Sequence, residues 1–322
     1  MTPEHVPSPL ADTVVTAMFK NSDAAGLGME SLVNAALADS ESELIGKVTH
    51  LQSQHVHSNV GQKSWRTDVE AETDKREVVI LESQLTKFAK TSKRSLIYCQ
   101  TRLTDRTLPG GTLDQALADL PRVVMVNLLD FKLTPARQYF HEVLKPCLCK
   151  APPEPLDDVF EVHHLLLPLF EQIEPDPDNP LHCWLTALLR AHRSNKLMGE
   201  VVDKDPILKK FRGADKGFAQ IVDRHYTVAS NPEERMRYES WMIERTLNQE
   251  NIRALVNEGK AIAKAEGKAE GKAENQLEIA MAFFRRAQPG ADLSAVAREL
   301  KSLNIPEDII RSARERASAE RG

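Results

Sequence analysis

Cysteine is scarce in this chain: four in 322 residues, Cys99, Cys147, Cys149 and Cys183. Their spacing builds no disulfide framework, so reduced thiols in a cytoplasmic setting are the expectation. Cys147-Leu148-Cys149 with His141 lacks the Cys-x-x-Cys spacing of a zinc site, and ordinary thiols are expected there too. Aromatic residues are also few, at 5%. No run approaches the ~18 apolar residues of a membrane span. The first residues, MTPEHVPSPL, show no basic segment followed by an apolar one, so no secretory signal is expected. An excess of positive charge is missing as well. The net charge of −5 means that the whole molecule does not draw nucleic acid to itself, although a local basic face would suffice and an acidic metal site would lower the total. No Walker A loop, dinucleotide-binding glycine pattern or Gly-x-Ser-x-Gly elbow occurs.

What is present is a soluble globular composition, 41% hydrophobic and 28% charged, long enough for one large or two modest domains. Residues 13–20 and 28–38 read as helices, the second with Met29, Leu32, Val33, Ala36 and Leu37 along one face. Residues 43–51 read as a strand, followed by a polar loop containing His55 and His57. A second strand near 65–72 turns at Asp74-Lys75-Arg76 into a returning strand over 77–84, a hairpin. Residues 86–103 fit a helix with Phe88, Leu96 and Leu103 inward and Lys87, Lys90, Lys93 and Arg94 on or near a basic side. Residues 122–131 read as a buried strand. This order is an α/β layer pattern.

From about 135 onward the pattern reads as helical, with loops at 151–158 and 174–180 and His163-His164 as boundary residues before a leucine run. A clear helix covers Trp184 to Ala191, and another covers most of 232–256, with Asn231 as N-cap and Pro232 at its first position. Residues 258–274 repeat Glu-Gly-Lys-Ala with period four. Like charges at i,i+4 and repeated glycines weaken such a helix, so a solvated, partly helical spacer is expected. Short helices follow, joined near Pro289-Gly290 and Asn304-Ile305-Pro306.

The chemistry concentrates on the hairpin. In Val78-Val79-Ile80-Leu81-Glu82-Ser83-Gln84 a strand apolar enough to be buried on both faces runs into a carboxylate and an amide. Strand side chains alternate, so Glu82 and Gln84 share one face, and so do Asp68 and Glu70 on the partner strand. A turn near Asp74-Lys75 sets Asp68 beside Glu82. Carboxylates brought together in this way repel, unless a proton is shared or a cation lies between them. Oxygen ligands suit Mg²⁺ or Mn²⁺. The alternative is a solvated hairpin whose acids pair with Lys63, Arg66, Lys75 or Arg76.

Asp68, thirteen intervening residues, then Glu82-Ser83-Gln84 resembles the PD-(D/E)XK nuclease pattern. More narrowly, the chain is similar to the recombination-promoting nuclease and transposase family of that superfamily, in which glutamine commonly replaces the final lysine. The similarity extends to Phe19-Lys20, to Leu32-Val33-Asn34-Ala35-Ala36-Leu37, to Arg94 and Tyr98, and to Leu120-Pro121-Arg122-Val123-Val124. It continues in the helix around Trp184-Leu185 and in the repeat-bearing tail. The chain departs from the family at Thr16, where the first helix usually carries an acid; Asp12, one turn earlier, could substitute on the same helix face. It also departs at Leu166-Leu167-Pro168-Leu169-Phe170, which lacks the usual two charges.

The resemblance implies a restriction-endonuclease-like α/β core, a mixed central sheet flanked by helices, with a mostly helical C-terminal half. The expected division is a leader over 1–9, the core over 10–135, a helical extension over 136–256, the spacer over 257–276 and a helical tail over 277–322. It further implies hydrolysis of DNA phosphodiesters in recombination or mobile-element chemistry. Asp68, Glu82 and the Ser83 carbonyl would hold Mg²⁺ or Mn²⁺, and Gln84 would orient water, a task it performs without a lysine's charge. Glu70 is a candidate second metal ligand or base, with an exposed strand acid as its alternative. Lys20, Lys87, Lys90 and Arg94 are candidates for DNA contact, and Arg94 alternatively braces the acids. DNA is the expected partner, a homo-oligomer through the helical C-terminal region is a further candidate, and no membrane is involved. The alternative function is a degenerate nuclease fold that holds DNA or a protein without cutting.

Overall fold

The computed structural model describes residues 6–20, 22–57, 65–87, 91–105, 120–134, 136, 138–148, 154–155, 159–286 and 293–319. Two compact units divide at residues 242 and 243. In the first, six strands form one mixed sheet: β1 (Val48–His57), β2 (Trp65–Thr73), β3 (Val78–Gln84), β4 (Val123–Leu129), β5 (His141–Leu144) and β8 (Phe160–Leu166), in the order β1-β2-β3-β4-β8-β5. β1, β2 and β3 run antiparallel, β3, β4 and β8 parallel, and β5 returns antiparallel on β8. A two-stranded ladder joins β6 (Cys147–Leu148) to β7 (Glu154–Pro155).

Both faces of the sheet are covered, as the unbroken apolar run of β3 requires. Val79 and Leu81 join Val69, Val124 and Val126 in the larger core with α1 (Asp12–Met18) and α2 (Asp23–Asp39). Val78 and Ile80 face the other way, meeting Val123, Met125, Val162, Tyr98 and Cys99 of α3 (Thr91–Asp105). After β8 the chain is helical: α4 (Leu167–Phe170), α5 (Pro180–Ser194), α6 (Met198–Lys204), α7 (Pro206–Ala214), α8 (Lys216–Ser230) and α9 (Pro232–Arg286). Trp184 of α5 and Phe218 of α8 pack edge to face in the larger core, with ring centroids 4.9 Å apart. Where α2 meets α8, a Cβ on Gly217 would lie 2.2 Å from the Leu27 carbonyl oxygen, so only glycine permits this approach.

Four expectations change. The hairpin's outer strand extends to His57, into what reads as a polar loop, because β1 pairs with β2 along its length, from Val48 opposite Thr73 to His57 opposite Trp65. The expected helical extension from 136, on either side of the loop at 151–158, supplies β5 and β8. A short apolar run does not distinguish a buried strand from a helix by periodicity. His163 and His164 therefore lie within a strand, both buried, and not at a boundary. In α3 the inward face runs through Thr91, Ser95, Tyr98, Cys99 and Arg102, while Leu96 is 40% exposed. Phe88 and Lys90 lie outside the described residues.

His163 belongs to a polar chain on the face opposite α3. Its Nδ1 lies 2.9 Å from His141 Nε2, and His141 Nδ1 lies 2.6 Å from Asp39 Oδ2 at the end of α2. Asn179, the N-cap of α5, donates to the other Asp39 oxygen at 2.6 Å. Burial pushes the Asp39 carboxyl up, but the hydrogen bonds from His141 and Asn179 outweigh it and hold it below its ordinary value. The network ties α2, α5, β5 and β8 together.

In the second unit, Ala280 and Phe284 of α9 form a separate small core with Leu300 of α10 (Leu293–Ser302), with Ile305, and with Ile310, Ala313 and Ala317 of α11 (Glu307–Ala319). The Glu-Gly-Lys-Ala repeat lies within α9 and is helical. Asn231 caps that helix, accepting from the Glu233 and Glu234 backbone N–H groups at 2.9 and 3.3 Å.

Candidate active site

Val69 pairs with Leu81, and Glu70 with Ile80. One step further towards the end of β3, Asp68 lies across from Glu82 on the α3 face. Backbone amides lock the two together: the Asp68 N–H donates to Glu82 Oε1 and the Ser83 N–H donates to Asp68 Oδ2, both at 3.0 Å. Each carboxylate thus spends one oxygen on the opposite strand. Glu82 is 1% exposed. It forms an ion pair with Arg94 of α3, with 3.6 Å between Arg94 Nη2 and Glu82 Oε2.

The electrostatics follow from this placement. Burial pushes the Glu82 carboxyl well up, and repulsion from Asp68 and Asp12 adds to the shift, against the pull of Arg94 and the Asp68 amide. Arg94 is braced in turn, its Nε donating to the Tyr98 hydroxyl at 2.7 Å. Burial and the Glu82 charge push that hydroxyl up to about 12. Burial and the neighbouring acids thus disfavour the charged form of Glu82, and Arg94 opposes them.

Asp12, offered from sequence as a stand-in for the missing helical acid, heads α1 close enough for its charge to be felt at Glu82. Thr16, in the usual acid position, is buried with its hydroxyl 3.5 Å from the Asp68 carbonyl oxygen. Gln84 shares the Glu82 face and is buried, and among the described residues its Oε1 has no hydrogen-bond partner. Ser83 points to the other face, where its hydroxyl donates to the Leu10 carbonyl at 2.7 Å.

Other candidates lie apart. Glu70 is neither an exposed strand acid nor open to a cation, because it is buried in an ion pair with Arg102 of α3. Of the cations named as alternative partners for the acids, Lys75 pairs with Glu43 at 3.2 Å. Lys20 is exposed, 4.0 Å from Glu234. Lys87 and Lys93 are exposed. Sequence reasoning passed over Asn127, which β4 places directly beside Glu82. Its signal was legible: a lone amide inside Val-Val-Met-Val-Asn-Leu-Leu.

Among the described residues no group of three or more His, Cys, Asp or Glu side chains is disposed to hold a metal ion. The donor set at this site is two carboxylates. That suits a small hard cation, which is commonly held by one or two carboxylates and completes its shell with water and substrate oxygens. The buried amide oxygen of Gln84 without a donor is consistent with such a hydrated site.

A mixed sheet flanked by helices, with paired acids at the end of its central hairpin, defines a restriction-endonuclease-like α/β fold. The description "PD-(D/E)XK nuclease family transposase" belongs to a family model that matches residues 10–257, and the chain belongs to that family. Nucleases of this superfamily generally use divalent metals. No curated protein and no solved structure matches the chain.

Proposed function

We propose that the protein is a metal-dependent endonuclease that hydrolyses DNA phosphodiester bonds in recombination or transposase-like processes. The observation that supports this most is the hairpin register, which brings Asp68 and Glu82 together on one face and locks each to the other strand's backbone. Asp68 and Glu82, with the Ser83 carbonyl, would hold Mg²⁺ or Mn²⁺. The cation would polarise the scissile phosphate and favour ionisation of the attacking water. Arg94 fixes Glu82 from the α3 side. Gln84 orients the attacking water through its carboxamide, with no charge to lend it. Lys87, Lys93 and Lys90 are the candidates for phosphate contacts along the DNA.

The test is plasmid nicking with and without Mg²⁺, wild type beside Asp68→Ala. Wild type should nick only with the metal, and Asp68→Ala should not nick at all. DNA affinity should stay similar or rise in the variant, because a negative charge near the phosphates is gone. Wild type that binds DNA but never cuts, with Mg²⁺ or Mn²⁺, would establish the binding-only reading instead.

A further inference from the structure

The β3 and β4 ladders set Asn127 between Glu82 and His164, in one cross-strand row on the α3 face. Asn127 is 0% exposed. Among the described residues its Nδ2 makes one long contact, 3.4 Å to the His163 carbonyl oxygen, and its Oδ1 has no partner. Gln84 Oε1, one pleat further along β3 on the same face, is buried and unpartnered as well. Two buried amide oxygens thus flank Glu82, whose carboxyl feels both the Asp68 charge and that of Arg94. A buried acceptor without a donor costs ~1–3 kcal/mol, so a polar amide kept here at the expense of stability calls for a ligand. Neighbouring strand positions of the same parity are hydrocarbon: Val123, Met125 and Leu129.

We propose that Asn127 is a positioning residue for divalent-cation binding at Asp68 and Glu82. Its Oδ1, together with Gln84 Oε1, accepts hydrogen bonds from ordered water that fills the β4 side of the site when the cation is bound. The inference rests on the nuclease reading. It adds a residue of the neighbouring strand that contributes neither charge nor a direct ligand. Such outer partners typically change metal affinity by ~10–100-fold when removed.

The experiment is Mn²⁺ titration calorimetry on the full chain, with metal-free melting measured alongside, for wild type, Asn127→Leu and Asn127→Thr. Leucine is close in size and has no acceptor. It should weaken Mn²⁺ binding about 10–100-fold while the metal-free protein melts at or above wild type. Threonine keeps an acceptor and leaves room for a bridging water, so it should recover part of the lost affinity. Wild-type affinity in Asn127→Leu overturns the proposal, as does equal loss in both variants. If Asn127→Leu melts below wild type, the threonine variant decides alone, partial retention supporting and full loss overturning. Wild type that takes up no Mn²⁺ would overturn this inference and the nuclease reading together, whereas wild-type binding indifferent to Asn127 removes only the former.

Discussion

Gln84 stands where the commoner form of the motif has lysine, and its surroundings explain why the exchange matters. The amide is buried beside Asp68 and Glu82, the latter paired with Arg94. A glutamine can orient water but, unlike lysine, brings no positive charge to the acids. Positioned acid–base groups contribute about 10²–10⁴-fold, and a neutral amide belongs at the low end. In single-turnover cleavage, Gln84→Ala should therefore be slowed about 100-fold, whereas Asp68→Ala should not cleave. Gln84→Glu should be slower than Gln84→Lys, because a further carboxylate adds repulsion at the phosphate whereas lysine relieves it. A wild-type rate in Gln84→Ala would remove the residue from the mechanism. Asp68, Glu82 and Gln84 were all legible as candidates, because their signal is local: polar groups of one parity at the end of an apolar strand. Asn127 carries the same signal in weaker form, one amide amid hydrocarbon, with no neighbouring motif to draw attention to it.

At the scale of the element, α3 is held to the sheet at two points along its length. Arg94 reaches Glu82 and, two turns on, Arg102 reaches Glu70. Glu70 looks like a site acid in sequence because it shares parity with Asp68. Position along the strand decides otherwise, since Asp68 lies level with the strand end while Glu70 lies one pleat deeper, under the helix. Removing one partner of a buried pair strands the other charge, at a cost of ~3–5 kcal/mol; replacing both with hydrocarbon is often neutral. Glu70→Ala should lose that much in urea unfolding, and Glu70→Leu combined with Arg102→Met should recover most of it. A Glu70→Ala protein as stable as wild type would show that the pair does not anchor the helix. The basic side of α3 was legible in part: Arg94 and Lys93 lie on the described helix, but its inward face runs through Tyr98 and Cys99, not Leu96.

At the scale of the whole molecule, the first unit is closed by a contact across almost the full length of its chain. His225 of α8 is 0% exposed, and its Nδ1 accepts from the Met198 N–H at 3.1 Å. Its Nε2 must then carry the proton, and it donates to the Pro7 carbonyl at 2.8 Å. The neutral ring satisfies both partners. Burial pushes its pKa down to about 4, against a smaller opposing effect of the Pro7 bond. The unfolded chain binds this proton near pH 6.5. The stabilisation is thus present in full above that pH and is lost as the pH falls towards 4, by roughly 3 kcal/mol. Urea unfolding should show that loss between pH 7 and pH 4, and His225→Gln should flatten it. An unchanged slope in the variant would assign the acid sensitivity to other groups.

The sequence by itself determined the hairpin, its turn, the parity that unites Asp68 with Glu82, and the capped start of α9 at Asn231. Each depends on residues close in the chain or on a period that local geometry imposes, so no distant contact is needed to read them. Only the tertiary structure decided that β5 and β8 extend the sheet, because a short apolar run becomes a strand or a helix according to what lies beside it. Depth decided the rest. Glu70 became a helix anchor, His163 a link in a buried chain, and Asn127 the neighbour of Glu82 through a parallel pairing of strands 45 residues apart in register. Burial and cross-strand neighbours set the charge balance of each such group, and neither is written in the residues next to it.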